Sequence, residues 1–152
     1  MAEHFGWAVS VLHWGTHQSM TNALASMDLT ASQGRILGYI ARKETAPCSR
    51  DIEEAFHLSH PTVSGVLARL EKKGFIEFRP DENDRRCKRI YMMEKGMECT
   101  ETMYRTIMEN EEKMVRGFTA EETELFRSFL ERSIENMGIH TCYQNDKEET
   151  TE

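Results

Sequence analysis

Residues 58–76 read LSHPTVSGVLARLEKKGFI, and this stretch decides the fold. Ser59 stands where a helix cap belongs, and Pro61 falls in the first turn, where a missing N–H leaves no bond unmade. Val63, Val66, Leu67 and Leu70 recur at spacings of three and four, the period of a helix with one buried face. Gly74 supplies the C-terminal stop. Pro61, Thr62, Ser64, Gly65 and Arg69 point elsewhere and are polar or small. Upstream, Pro47 and Ser49 mark another start. Ser49 caps a helix through about Ala55, with Asp51 and Glu53 in its favourable first turn and Ile52 and Phe56 as its apolar face. Two helices joined by so short a connection form a helix-turn-helix, whose second member can lie in the major groove of duplex DNA.

The segment after Gly74 changes period. Phe75-Ile76-Glu77-Phe78 alternates like a half-buried strand, Pro80 to Asn83 supply turn chemistry, and Arg85 to Met92 read as the returning strand. A β-hairpin attached there is a wing, with Asp81, Asp84, Arg85 and Arg86 towards its tip.

Helices flank this centre. Residues 4–25 carry Phe5, Val9, Leu12, Met20 and Leu24 at helical spacing, which predicts one amphipathic helix. Thr30 and Gln33 make a capping box for a helix that buries Ile36, Leu37 and Ile40 and ends near Arg42 and Lys43. Residues 94–117 form a long charged helix, and Met93 before it has no side chain that can cap. Thr119 and Glu122 box the start of a last helix bearing Leu125, Phe126, Phe129, Leu130, Ile134 and Met137, closed by Gly138. Residues 139–152, rich in Glu and Thr, read as a disordered tail.

The chain of 152 residues has a net charge of -7, which argues against nucleic acid until it is divided. Residues 30–95 hold 13 Lys/Arg against 10 Asp/Glu, a balance of +3, and the remainder holds 6 against 16, a balance of -10. A mildly basic centre between acidic ends is compatible with a phosphate partner. No apolar run approaches the roughly 20 residues that span a bilayer, and no signal peptide is apparent, so a cytoplasmic protein is expected. Cys48, Cys87, Cys99 and Cys142 form no CxxC pair and are expected as free thiols; a thiol-sensing role is the alternative. His13 and His17 stand at i, i+4 without a Cys, Asp or Glu nearby to complete a metal shell. The sequence has no Gly-rich phosphate loop, nucleophile elbow or Cys/His metal spacing. A binding protein with no cofactor and no metal is expected, not an enzyme.

The stretch 58–76, followed by Arg79-Pro80-Asp81 and Asp84-Arg85-Arg86, resembles the MarR family of winged helix-turn-helix transcriptional regulators. The order helix, helix, helix-turn-helix, wing, long helix, final helix extends the likeness over about residues 4–138. It implies a mainly α fold with a small β-hairpin wing. Residues 30–95 would form the DNA-binding domain, and residues 4–29 and 96–138 a helical dimerisation region. It further implies a homodimer on a pseudo-palindromic operator, acting as a repressor released by a small aromatic effector; a redox- or metal-responsive regulator of the same fold is the alternative. The expected DNA contacts are Ser59, Pro61, Thr62, Ser64 and Arg69 from the helix. In the wing, Asp84 orients Arg86 for the minor groove, Arg85 supports it, and Lys88 and Arg89 meet phosphates. Trp7, His13, Trp14 and His17 are the candidate effector contacts, at the junction of dimerising helices and reader. One departure is visible: Met92-Met93 stands where the family often has Leu-Thr.

Overall fold

The computed structural model describes residues 4–81 and 87–138. In chain order these form α1 (Phe5–Ser26), α2 (Ala31–Arg42), α3 (Ser49–Phe56), α4 (His60–Lys72), β1 (Ile76–Pro80), β2 (Lys88–Met92), α5 (Glu94–Met114) and α6 (Ala120–Asn136). The chain divides into two compact units between Glu111 and Glu112.

In the first unit a single apolar core gathers Leu24 and Leu29 with Ile36, Leu37 and Ile40 of α2, Ile52 of α3 and Val63, Leu67 and Leu70 of α4. Phe75, Ile76 and Ile90 close it from the hairpin side and Cys99 from α5. Each aliphatic side chain of this kind stabilises the fold by roughly 1.5–3 kcal/mol on burial. The box at Thr30 is formed in both directions: Gln33 N–H donates to Thr30 Oγ1 at 3.3 Å and Thr30 N–H to Gln33 Oε1 at 3.0 Å.

Two helix starts differ from expectation. Ser49 is the first residue of α3, and Cys48 is its cap position; Cys48 N–H donates to Asp51 Oδ2 at 2.7 Å, so the carboxylate three residues on closes the turn. At α4, Ser59 holds the cap position but its hydroxyl does not reach the backbone. The Ser59 carbonyl instead accepts from Thr62 and Val63 N–H. The turn between α3 and α4 runs through His57 at φ 51, a left-handed conformation without glycine.

β1 and β2 pair antiparallel with Phe78 opposite Ile90 and Pro80 opposite Lys88. The strand therefore continues through Pro80, which was expected in the turn; a strand's last residue in an outer position tolerates a missing donor. The return strand starts at Lys88, later than the Arg85 expected, and residues 82–86 lie outside the described residues. Cys48 bridges to Arg89, and Ile90 N–H donates to Pro47 O at 2.8 Å, which fastens the wing to the segment entering α3.

α5 begins at Glu94 without a capping side chain from Met93. The Met93 carbonyl accepts from Gly96 and Met97 N–H, and Met93 N–H donates to Phe75 O. Lys95 adds a 3.0 Å bond from Nζ to Lys73 O. The helix stops at Met114, short of residue 117, where Gly117 turns the chain at φ 87.

α1 departs most from its expectation. Phe5, Val9 and Leu12 fall on one side and Trp7, Val11 and Trp14 on roughly the opposite side of a 3.6-residue helix. Over its first turns the helix carries apolar side chains on two opposite sides, with Ser10, His13 and His17 between them, and only its last turns reach the core, with Leu24 buried and Met20 half-buried.

In the second unit, Thr119 caps α6 by a full box with Glu122, at 3.2 and 2.8 Å, and Phe118 meets Phe126 edge to face. α6 buries none of its residues. The expected tail, residues 139–152, lies outside the described residues.

Candidate nucleic-acid interface

α4 is anchored on one side and open on the other. Val63, Leu67 and Leu70 are buried, and this fixes the rotation of the helix so that Ser59, Pro61, Thr62, Ser64, Gly65, Ala68 and Arg69 are exposed. The Ser59 and Thr62 hydroxyls share a 2.9 Å hydrogen bond at the helix start. His60 Nδ1 meets Glu53 Oε1 of α3 at 2.6 Å; a carboxylate only accepts, so this ring nitrogen carries the proton. The contact braces the first turn of α4 against the helix before it.

The wing root stands beside this face. A cleft of about 810 Å³ is lined by His60, Ser64 and Ala68 of α4, by Arg50 and Glu53 of α3, and by Phe78, Cys87 and Lys88 of the hairpin. A helix with a polar, small-residue outer face and a hairpin alongside form a winged helix-turn-helix.

Residues 27–86 match the sequence model of the MarR family. The chain is 29% identical over 112 residues to the HTH-type transcriptional regulator YybA of Bacillus subtilis, covering 72% of this chain and 74% of that one. It is 28% identical over 89 residues to the transcriptional activatory protein BadR of Rhodopseudomonas palustris, covering 57% of this chain and 51% of BadR. The solved S. aureus MepR–DNA complex superposes with a TM-score of 0.75 at 26% identity, over 88% of this chain and 99% of that chain. These comparisons support a MarR-family winged-helix regulator.

In this MarR-family fold the expected contact residues separate into three groups. Ser59, Pro61, Thr62, Ser64 and Arg69 are together on the exposed side of α4, and Lys88 is exposed at the wing root. Arg89 is partly exposed and tied to the hairpin base: Nε donates to Asp81 Oδ2 at 2.5 Å and Nη1 to Ala46 O at 3.2 Å. The Asp81 carboxylate raises the Arg89 pKa, first by that hydrogen bond and then by its charge. Lys88 and Arg89 alternate across the strand, so one faces out while the other braces the hairpin base. Asp84, Arg85 and Arg86 lie outside the described residues.

The four candidate effector residues all lie along α1. Trp7, His13, Trp14 and His17 are exposed, Trp14 to 68%, and the two imidazoles are 5.8 Å apart. Among the described residues no group of three His, Cys, Asp or Glu side chains could hold a metal ion, and no helix is long and apolar enough to cross a membrane.

The sequence reading did not single out the His60–Glu53 brace, or Arg79, whose guanidinium lies 4.5 Å from the Tyr91 ring centre on the exposed side of the hairpin. Residues 53 and 60 belong to different helices, and no periodicity links them. Arg79 was part of the Arg79-Pro80-Asp81 signature, and only the strand register sets it opposite Arg89.

Proposed function

We propose that this regulator binds duplex DNA sequence-specifically as a homodimer, in the cytoplasm, and acts by binding and not by catalysis. The start of α4 enters the major groove with Pro61, Thr62 and Ser64 at base edges and phosphates and Arg69 on the backbone. Arg86, oriented by Asp84 and supported by Arg85, enters the adjacent minor groove, and Lys88 meets phosphate. Arg89 contributes by holding the hairpin. The observation that carries this reading is the exposed polar face of α4 set opposite its buried Val63, Leu67 and Leu70. Similarity to MepR, solved on DNA, supports the mode.

Two copies are needed because one short helix reads only a few base pairs. The exposed apolar residues around α1, Phe5 at 92% and Trp14 at 68%, are a surface a second copy would cover. A bound dimer represses by occluding a promoter. A small aromatic acid releases it by favouring a spacing of the two readers that does not match the operator, and the Trp7, His13, Trp14 and His17 side chains are its proposed contacts. For a tenfold loss of DNA affinity the ligand must favour that state by about 1.4 kcal/mol.

Selection of bound fragments from random duplexes, followed by gel-shift titration, tests the proposal. A single pseudo-palindromic sequence should emerge. Arg86→Ala should weaken its binding sharply while sedimentation still reports the dimer. No enrichment over bulk competitor at modest salt would refute the assignment, and unchanged affinity in Arg86→Ala would remove that arginine from it. Retention of operator affinity in the presence of benzoate- or phenol-type ligands would remove the effector.

A further inference from the structure

We propose that Cys48 and Cys87 form a redox pair, which a hydroperoxide joins in an intrachain disulfide that shifts the wing against the helix-turn-helix and lowers DNA affinity. The consequence for DNA rests on the proposed function above; the disulfide itself does not.

The two cysteines are 39 positions apart in sequence, yet the fold brings them together. Cys48 is the bridge partner of Arg89, and opposite residues of an antiparallel pair project to the same side. Cys87 lies two residues before Arg89, so its side chain leaves the chain on that same side, diagonal to Cys48. Both line the cleft that separates α4 from the wing root, and both are partly exposed there, within reach of a small oxidant. Cys99, by contrast, is buried among apolar side chains in the core.

Diagonal partners have Cα atoms about 7–8 Å apart, whereas a disulfide spans about 4.4–6.8 Å. Joining them therefore draws the Cys87 end of β2 towards α3 by roughly an ångström. Ile52 in the core and the Asp51 bond to the Cys48 backbone hold α3, so the hairpin is the part that moves. The Arg89–Asp81 and Arg89–Ala46 bonds lie in that path and must readjust.

The chemistry balances with a hydroperoxide as oxidant. The Cys48 thiolate attacks one peroxide oxygen; the O–O bond breaks, an alcohol or water leaves, and Cys48 becomes a sulfenic acid. The Cys87 sulfur then attacks that sulfur, the S–O bond breaks, the S–S bond forms, and water leaves with the Cys87 proton. Two thiols and one hydroperoxide thus give one disulfide, one alcohol or water, and one further water. Burial, and then the neighbouring Cys48, push the Cys87 thiol pKa up, so Cys87 is the thiol less ready to attack the peroxide itself. Burial also pushes Cys99 up and keeps it protonated.

The test uses the full chain, reduced and then treated with one equivalent of hydrogen peroxide. Non-reducing peptide mass spectrometry should find the peptides bearing Cys48 and Cys87 joined, with two hydrogens lost. Anisotropy on a duplex selected by the reduced protein should show affinity falling about tenfold, the effect of a 1.4 kcal/mol differential, and recovering with dithiothreitol. Cys48→Ser and Cys87→Ser should each bind like the reduced parent and ignore peroxide. Both thiols remaining alkylatable, linkage to Cys99 or Cys142 instead, or a Cys48–Cys87 disulfide that leaves affinity unchanged would each overturn the proposal. A reduced chain that binds no duplex would sink the DNA assignment alone, since the mass spectrum still decides the disulfide.

Discussion

Gly96 is a position where one methyl group collides with the chain itself. A Cβ there would stand 2.3 Å from the carbonyl oxygen of Phe75 and 2.9 Å from Met92 Cε. The methionine can swing aside; the backbone carbonyl, which also accepts from Met93 N–H, cannot. Gly96→Ala should therefore destabilise the first unit by about 1–3 kcal/mol, the usual cost of overpacking, read as a lower urea midpoint at unchanged slope. A substitution neutral in that assay would show that α5 can lift away from the α4–β1 junction. Gly74 is special for another reason: its φ of 76 lets the chain leave α4 and enter the wing.

Among the elements, the wing poses the sharpest contrast, because its neighbouring cations have different work. Lys88 is exposed beside the cleft shared with α4, whereas Arg89 is tied to Asp81 and Ala46. Lys88→Ala should reduce the slope of log affinity against log salt by about 0.9, one phosphate contact. Arg89→Ala should lower affinity through a displaced hairpin and leave that slope unchanged. Equal slopes for the two variants would place both on phosphates or neither. For α2, Thr30→Ala removes one half of a complete capping box and should cost about 1 kcal/mol in chemical denaturation, with Thr30→Ser recovering most of it. No loss on Thr30→Ala would mean that water satisfies the freed amide equally well.

At the scale of the whole molecule, the first turns of α1 present apolar side chains on opposite sides, and α6 buries none of its residues. Apolar side chains exposed on two sides of one helix mark a surface that a partner covers, and in the proposed dimer a second copy would cover it. The double variant Val11→Glu with Trp14→Glu should sediment as a monomer at micromolar concentration. It should bind operator at least about a hundredfold more weakly, because two linked readers gain that much by avidity. A variant that stays dimeric with full affinity would move the interface away from α1.

The sequence by itself determined the parts of this protein that depend on neighbours a few positions apart. The boxes at Thr30 and Thr119, the buried face of Val63, Leu67 and Leu70, the stop at Gly74 and the hairpin after it all follow from local spacing. Where the reading failed locally, a chemical competitor had won: Asp51 closed α3 on Cys48 in place of a Ser49 cap, and Ser59 bonded Thr62. Tertiary structure alone decided that Arg89 turns to Asp81, that His60 leans on Glu53, that Gly96 lies against Phe75 and that Cys48 faces Cys87. These pairings are formed when separate elements close on a common core, and side-chain periodicity carries no record of which distant residues that closure brings together.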